Sequence, residues 1–196
     1  MFDLKNVIKQ SQRCQRNWDL TKSVKDEDID LFKTAVSQCP SKQNRIWYNV
    51  VFVKDRKIIE KIHDTTDRFD FPDGIEKTNS QTLANLLVIF NADKDERVKT
   101  TRDELLEDFD ESYFVGSSIG IASGYLNLTA HLLGYKTGFC GGFRFEKVDK
   151  ILNTKNSKLI MGIGYPDDKR DRREHHLDFN FIYPSYNKDI KIKVIE

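Results

Sequence analysis

The segment that most constrains the fold is GSSIGIASGYLNLTAHLLG, residues 116–134, which has the strongest helical pattern in the chain. Its apolar residues recur at helical spacing and form one stripe, made of Ile119, Ala122, Leu126, Ala130 and Leu133. Another face carries only small residues, namely Gly116, Ser117, Gly120, Ser123 and Gly124. A helix with an apolar face and a small-residue face is predicted to be buried on two sides.

The glycines of this helix need a physical reason, because each costs about 0.5–1 kcal/mol in a helix interior relative to alanine. One explanation is that a second backbone or a flat ligand comes close to this face. The other is tight packing against the protein's own sheet. The sequence leaves both explanations open.

Shorter segments supply the elements around this helix. Apolar, β-branched or alternating runs predict strands at 46–53, 83–90, 137–143, 159–165 and 190–195. Helical spacing predicts further helices at 3–10 and 25–38. Because no repeats or linkers interrupt the chain, we predict a single domain over residues 1–196. Its expected fold class is α+β, built as mixed α/β layers.

Composition excludes several classes of function. The 32 Lys and Arg balance 31 Asp and Glu to a net charge of +1, which gives no general attraction to nucleic acid or to an anionic membrane. No uninterrupted apolar stretch approaches the roughly 18 residues of a membrane helix. The 3 cysteines are odd in number and have no CxxC spacing, so a reducing, cytoplasmic location is expected.

The sequence contains few motifs that are typical of enzymes whose own side chains carry out the reaction. The histidines are scattered. The pair His175-His176 lies in an arginine-rich loop, where we expect solvated side chains and not a metal site. Cys140 is interpreted as a buried structural residue, because nothing in the sequence supplies a base for it. HExxH, GxSxG and P-loop motifs are absent, and GIGYPD at 162–167 lacks the third glycine of a dinucleotide fingerprint.

Four separated segments suit a bound cofactor that brings its own reactivity. They are the arginine-containing QSQRCQRNWD at 10–19, CPSKQNRIWY at 39–48, the central helix running into GFCGGF at 138–143, and the basic loop after GIGYP. In this order and at about these distances, they resemble the FMN-dependent nitroreductase family over roughly residues 10–180. The sequence departs from the family pattern at Gln12, at Cys14, at 46–48 and at Gly141, where arginine, serine, Gln-Pro-Trp and, in some relatives, glutamate are usual.

The resemblance implies a mixed sheet wrapped by helices, in an intertwined homodimer with FMN in two clefts at the subunit interface. It also implies that the C-terminal strand, 190–195, completes the sheet of the partner. The small-residue face of the central helix would then meet the second chain.

The resemblance also implies roles for individual residues. Arg13 would bind the FMN phosphate with Arg173 and His175, although three arginines at 170–173 compete for this role. Arg16 would lie near the N1–C2 edge of the flavin, where a cation stabilises the reduced ring. The remaining cofactor-binding candidates are Gln12 and Cys14 in the opening stretch, Pro40, Ser41 and Asn44 from the other chain, and Gly141 and Gly142 at the N5/O4 edge.

The predicted function is electron transfer from NAD(P)H through FMN to a small organic acceptor, such as a nitroaromatic or a quinone, by a ping-pong mechanism. One alternative is a flavin enzyme of the same fold with different chemistry, such as reductive dehalogenation or flavin breakdown. Another is a dimeric protein that binds a flavin without catalysis. The sequence does not distinguish NADH from NADPH or identify the acceptor.

Overall fold

The computed structural model describes residues 3–41, 44–67, 69–70, 76–93, 111–186, 188 and 190–195. Its helices are α1 (Leu4–Ser11), α2 (Asp26–Ser37), α3 (Arg56–His63), α4 (Glu111–Leu132) and α5 (Phe145–Leu152). Its strands are β1 (Tyr48–Val53), β2 (Phe69–Asp70), β3 (Glu76–Lys77), β4 (Leu86–Ala92), β5 (Lys136–Cys140) and β6 (Ser157–Gly164). A 3-10 turn covers Ser80–Leu83.

The main sheet has four strands in the order β1-β4-β6-β5, and β2 pairs with β3 in a separate ribbon. All strand pairs among the described residues are antiparallel, which differs from the mixed sheet that we expected. The predictions of strands in the four main segments are confirmed. The run at 83–90 begins as the 3-10 turn and becomes a strand at Leu86.

The sheet is covered on both faces, as the alternation of side chains along β4 shows. Leu86, Val88 and Phe90 point to one face, and Leu87 and Ile89 point to the other. The first face packs against α2 and α4, through residues that include Phe32, Val36, Ile119, Ala122 and Leu126. The second face packs against α3 and α5, through Ile59, Ile62 and Val148. These layers confirm the predicted α+β fold class.

Helix α4 is buried on one side in the described chain. Four residues of its predicted stripe are in the core, while Leu133 lies just past the helix end and is 38% exposed. The glycine face is open, because a Cβ added at Gly116, Gly120 or Gly124 would meet no described atom within 4 Å. Packing of these glycines against the protein's own sheet is therefore wrong for the described residues.

Two further expectations need correction or completion. Residues 190–195 form no strand in this chain, and Ile192 and Val194 are 85% and 78% exposed. An isolated segment of this kind has no strand beside it to complete a ladder of hydrogen bonds. Helices α3 and α5 were not predicted, because both are short and highly charged. The charged segment 91–108, which its composition predicts to lie at the surface, and the region 69–74, which contains turn residues that the sequence does not resolve, lie mostly outside the described residues.

No helix in the described ranges combines the length and hydropathy needed to cross a bilayer.

Candidate functional site

The opening stretch, residues 12–19, is bound along the edge of the sheet instead of forming a solvated turn. The amide of Gln15 donates to the Thr137 carbonyl of β5 at 2.8 Å, and the amide of Asp19 donates to the Tyr165 carbonyl at 2.9 Å. The amide of Arg16 donates to the Arg172 carbonyl at 3.0 Å. These bonds place the start of the chain beside both β5 and the basic loop after β6.

A strand glycine allows two segments to meet at this edge. A Cβ added to Gly138 of β5 would lie 2.6 Å from the Gln15 carbonyl oxygen and 2.5 Å from the Gln81 Cβ. Both distances are shorter than non-bonded contacts allow. The opening stretch and the 3-10 turn can therefore approach each other only because β5 has no side chain at this position.

A continuous chain of polar contacts links Arg16 to the glycine turn after β5. The guanidinium of Arg16 donates to the side-chain oxygen of Gln81. The Gln81 amide donates to Asn79 Oδ1 at 3.0 Å, and Asn79 Nδ2 donates to the Gly142 carbonyl at 3.1 Å. Gln81 and Asn79 are buried, so these contacts hold Arg16 and Gly142 in one rigid frame.

The two glycines of this turn differ in their surroundings. A Cβ added to Gly142 would lie 3.2 Å from Asp67 Oδ2, and the Gly142 carbonyl accepts the Asp67 amide at 2.9 Å. Gly141 is exposed, and an added Cβ there would meet no described atom within 4 Å. Only Gly142 is therefore held tightly within the chain, and Gly141 presents open backbone.

The C-terminal part of the chain covers Arg16. The Tyr183 ring lies against the guanidinium, with the Arg16 Cζ 3.8 Å from the ring centroid. His175 stacks behind Tyr183 at 6.0 Å, and its Nε2 lies 3.0 Å from the Thr78 hydroxyl. His175 is buried, so its ring lies in a second layer behind Tyr183.

Cations surround a small cavity beside the opening stretch. Its volume is about 200 Å³, and its charged lining residues are Arg13, Lys136, Asp167, Asp168, Arg170 and Arg172. Burial, and then the nearby charge of Arg13, lower the pKa of Arg172. The cavity beside these two guanidinium groups is therefore a favourable place for an anion.

The structure distinguishes between the competing arginines of the basic loop. Arg172 donates to the Cys14 carbonyl at 3.2 Å and lines the cationic cavity with Arg13. Arg173 instead forms a two-pronged ion pair with Asp171, with both N–O distances at 3.1 Å. Arg170 donates to Glu174 at 2.9 Å and to the carbonyl of His175 at 2.7 Å. Arg172 is therefore the loop arginine that is best placed to act with Arg13.

Two other candidates of the opening stretch have different environments. Gln12 is exposed at the C-terminal end of α1. Cys14 is half-buried, and burial raises the pKa of its thiol. Burial also raises the pKa of Cys140 to about 12, so this thiol stays protonated near neutral pH. Neither cysteine has the lowered pKa of a catalytic thiolate, in agreement with a structural interpretation of Cys140.

The 39–48 candidates lie at a second cavity. Pro40 is exposed, Ser41 donates to the Arg45 carbonyl at 2.8 Å, and Asn44 has a φ of 56° in the left-handed region. Ser41 and Asn44 line a cavity of about 490 Å³ between α2 and β1. Among the described residues, this cavity shares no lining residue with the cationic cavity. Within a single chain, the predicted site residues therefore lie in two separate groups.

Sequence reasoning missed Asn79, Gln81 and Tyr183, and it left Arg172 as one of three competing arginines. The polar run TNSQT at 78–82, placed directly before a buried strand, was the available signal for the first two. No local pattern marks Tyr183, since its role depends on a contact with a residue near the other end of the chain. In the part of the chain that the structure describes, no group of three or more metal-ligand side chains is arranged to hold a metal ion.

Comparison with known proteins identifies sequences and folds to which this chain is similar. A sequence model of the nitroreductase family matches residues 10–165. The fold is similar to that of a nitroreductase family protein from Clostridium novyi NT, with a TM-score of 0.68 and 16% identity over 91% of this chain and 94% of that one. An FMN-dependent nitroreductase from Clostridium difficile aligns with a TM-score of 0.61 and 16% identity, over 83% of this chain and 88% of that one.

A third solved structure comes from Staphylococcus epidermidis and is assigned as an NAD(P)H:FMN oxidoreductase. It has a TM-score of 0.65 and 18% identity, over 86% of this chain and 89% of that one. No curated protein sequence is significantly similar to the chain. At these identities, the solved structures establish a shared fold.

Proposed function

Because the chain belongs to the nitroreductase family, we propose that it is an FMN-dependent oxidoreductase that moves electrons from NADH or NADPH to a small organic acceptor, such as a nitroaromatic or a quinone. The observation that carries this proposal is the polar frame from Arg16 through Gln81 and Asn79 to Gly142. The names of the similar FMN-dependent and NAD(P)H:FMN proteins support the choice of cofactor and electron donor.

The residues at the cationic cavity fit the phosphate of FMN. A phosphate monoester carries nearly two negative charges at neutral pH and favours charge-assisted donors. Arg13 and Arg172 supply two guanidinium groups whose mutual repulsion an anion would relieve. Lys136 and Arg170 line the same cavity, so its four cations outnumber the carboxylates of Asp167 and Asp168. We assign phosphate binding to Arg13 and Arg172, in place of the predicted Arg173 and His175.

The other end of the site fits a flat ring. Arg16 would place its positive charge beside the ring, where it stabilises the negative charge of the reduced form. The Gly141-Gly142 turn offers backbone without side chains, and Gly142 is fixed by Asn79 and Asp67. Strand β5 is five residues or about 16 Å long, and it runs from Lys136 at the cationic cavity to this turn.

Bound FMN would supply the redox chemistry, by accepting hydride from a nicotinamide and passing electrons to the second substrate. The protein residues then bind and orient the cofactor and stabilise its charge, and they need not supply an acid or a base. Because donor and acceptor would use the same cleft in turn, we expect ping-pong kinetics. The three free cysteines suit a reducing compartment, so we propose a cytoplasmic location.

The proposal includes a homodimer, because the surfaces that were predicted to meet a second copy are open. The exposed side chains Ile121 and Tyr125, at 41% and 49%, lie beside the glycine face of α4. The alternating segment 190–195 exposes four apolar side chains, and it would reach the sheet of the partner. The group at 40–44 would then approach the Arg16 frame of the partner, which would join the two parts of the site.

The substitution Gly120→Ala tests this dimer. In an open helix, alanine stabilises the chain by about 0.5–1 kcal/mol relative to glycine. If a second backbone packs on this face, the added methyl group weakens the dimer, and light scattering coupled to size exclusion detects more monomer at a fixed protein concentration. A stabilised protein with an unchanged association state would contradict a dimer through this face.

The visible absorption spectrum of the purified protein, before and after incubation with FMN, tests the cofactor directly. We expect flavin bands that bleach rapidly when NADH or NADPH is added in stopped-flow measurements. A protein that stays colourless after incubation would refute the proposal. A bound flavin that neither nucleotide reduces would instead support a non-catalytic flavin-binding protein. Slow reduction would favour a different chemistry on the same fold.

A further inference from the structure

We propose that Tyr183 is a positioning residue for Arg16, and that it sets the reduction potential of the cofactor by holding the Arg16 guanidinium in place. This inference rests on the proposed function for its effect on the flavin. The contact between the two side chains is a property of the chain alone, and it can be tested without a cofactor.

The Arg16 guanidinium is held from two directions. One Nη1–H donates to Gln81, and the face of the Tyr183 ring lies 3.8 Å from Cζ. Among the described residues, Gln81 is the only hydrogen-bond acceptor of this side chain. A guanidinium has five N–H donors in one plane. Contact with the ring face restricts where the guanidinium lies and leaves its remaining donors for a ligand.

The Tyr183 ring is itself fixed, so it can act as a rigid support. Its hydroxyl donates to the carbonyl of Thr78, which lies in the same segment as Gln81. His175 stacks on the ring at 22° between the ring planes, and Phe181 contacts it edge-on at 4.9 Å. Tyr183 is only 5% exposed. A buried ring with these contacts can hold the guanidinium in one orientation.

The short turn that carries these rings is closed by backbone bonds. The amide of Tyr183 donates to the Arg173 carbonyl at 2.9 Å, and the amide of His175 donates to the Phe181 carbonyl at 2.9 Å. The ring therefore reaches Arg16 from a segment that folds back on itself. This arrangement connects the C-terminal region to the proposed flavin edge through one aromatic side chain.

The expected chemical consequence concerns the reduced cofactor. A fixed cation stabilises the negative charge that develops on reduction better than a mobile one, because no orientation has to be found when the charge appears. Cation–π contacts also contribute more when they are shielded from water. Loss of the ring should therefore weaken the binding of reduced FMN more than the binding of oxidised FMN.

The variants Tyr183→Leu and Tyr183→Phe separate the ring from the hydroxyl. In Tyr183→Leu, we expect the ratio of affinities for reduced and oxidised FMN to fall about fivefold, which lowers a two-electron potential by about 20 mV. In Tyr183→Phe, which keeps the ring face, the ratio should stay within about twofold of the wild type. Equal effects of the two substitutions would refute the role of the ring.

A double-mutant cycle shows whether Tyr183 acts through Arg16. In an Arg16→Ala background, Tyr183→Leu should change the affinity ratio by less than about twofold. An undiminished effect in that background would overturn the proposal, because it would mean that Tyr183 acts by another route. A loss of thermal stability would not produce the same pattern, since it affects the binding of both redox forms and the measured quantity is the ratio of the two affinities.

Nuclear magnetic resonance of the apoprotein gives an arm that is independent of FMN. The Arg16 Nε–H resonance should have the relaxation behaviour of an ordered group in the wild type and in Tyr183→Phe. In Tyr183→Leu it should behave as a mobile side chain. If the protein binds no flavin, the proposed function fails, and these spectra still decide the positioning role. The same Arg16 mobility in the wild type and in Tyr183→Leu, whether ordered or mobile, would refute the positioning role.

Discussion

Replacing Gly138 by alanine should disturb the point at which the opening stretch, the 3-10 turn and β5 meet. The new methyl group would lie 2.6 Å from the Gln15 carbonyl oxygen, 2.5 Å from the Gln81 Cβ and 3.3 Å from the Cys14 Sγ. Favourable carbon–carbon contacts begin near 3.5 Å, so the backbone around Gln81 must move by about 1 Å. Gln81 is the residue that accepts from Arg16.

The cost follows from opposing terms. Overpacking a well-packed region by one methyl group costs about 1–3 kcal/mol. Replacing glycine by alanine also restricts the unfolded chain, which returns about 0.4–1 kcal/mol. The expected net loss in the free energy of unfolding is about 1–2 kcal/mol. For an m-value of about 2 kcal/mol per molar urea, the unfolding midpoint falls by about 0.5–1 M.

Urea unfolding of the apoprotein at a fixed protein concentration measures this loss, and Gly141→Ala is the matched control. Gly141 is three residues further along, is exposed, and has no described atom within 4 Å of an added Cβ. We expect the control to unfold at the wild-type midpoint or slightly above it. Gly138→Ala that is as stable as Gly141→Ala would refute the reasoning, because the crossing of the two segments could then accommodate a side chain.

Two further predictions concern charge. Arg172→Ala should weaken FMN binding by about tenfold or more and leave riboflavin binding unchanged, since a hydrogen bond to a charged group contributes about 1.5–3 kcal/mol; Arg173→Ala is the control, and an equal loss in both variants would contradict the assignment. Stability should fall as the pH drops from about 6.5 towards 4, because burial lowers the pKa values of His63 and His176 to about 4, with the Arg170 charge contributing at His176. The unfolded chain binds more protons in this window, and His63 alone accounts for up to about 3 kcal/mol. In urea unfolding across this range, His63→Asn should lose less stability than the wild type, and identical losses would contradict the assignment to His63.

The predictable part of the fold lies in its local patterns. The apolar run that forms β4 and the apolar stripe of α4 each predict which side chains are buried, because the spacing of apolar residues follows the repeat of a strand or of a helix. Helices α3 and α5 were missed because four of the eight residues in each, Arg56–His63 and Phe145–Leu152, are charged, which weakens the apolar pattern. The strand predicted at 190–195 was wrong for the single chain, since alternation describes a strand only where another strand pairs with it.

The candidate site was predictable only in part. The order of motifs along the sequence indicated the opening stretch and the glycine turn, and these lie in one frame through Gln81 and Asn79. The position of Arg172, and not Arg173, at the cationic cavity was not predictable, because neighbouring loop residues differ only in the direction that the backbone gives their side chains. Asp171 pairs with Arg173, while the bond to the Cys14 carbonyl holds Arg172 at the cavity.

The sequence by itself determined the layers, the central helix and the family, because hydrophobic periodicity and the order of motifs can both be read along the chain without knowing how it folds. Only the tertiary structure decided which polar groups meet. Arg16 and Gln81 are 65 residues apart, and Tyr183 reaches Arg16 from the other end of the chain. Such contacts depend on how the segments cross at Gly138 and on which side chains the folded backbone brings within hydrogen-bonding distance.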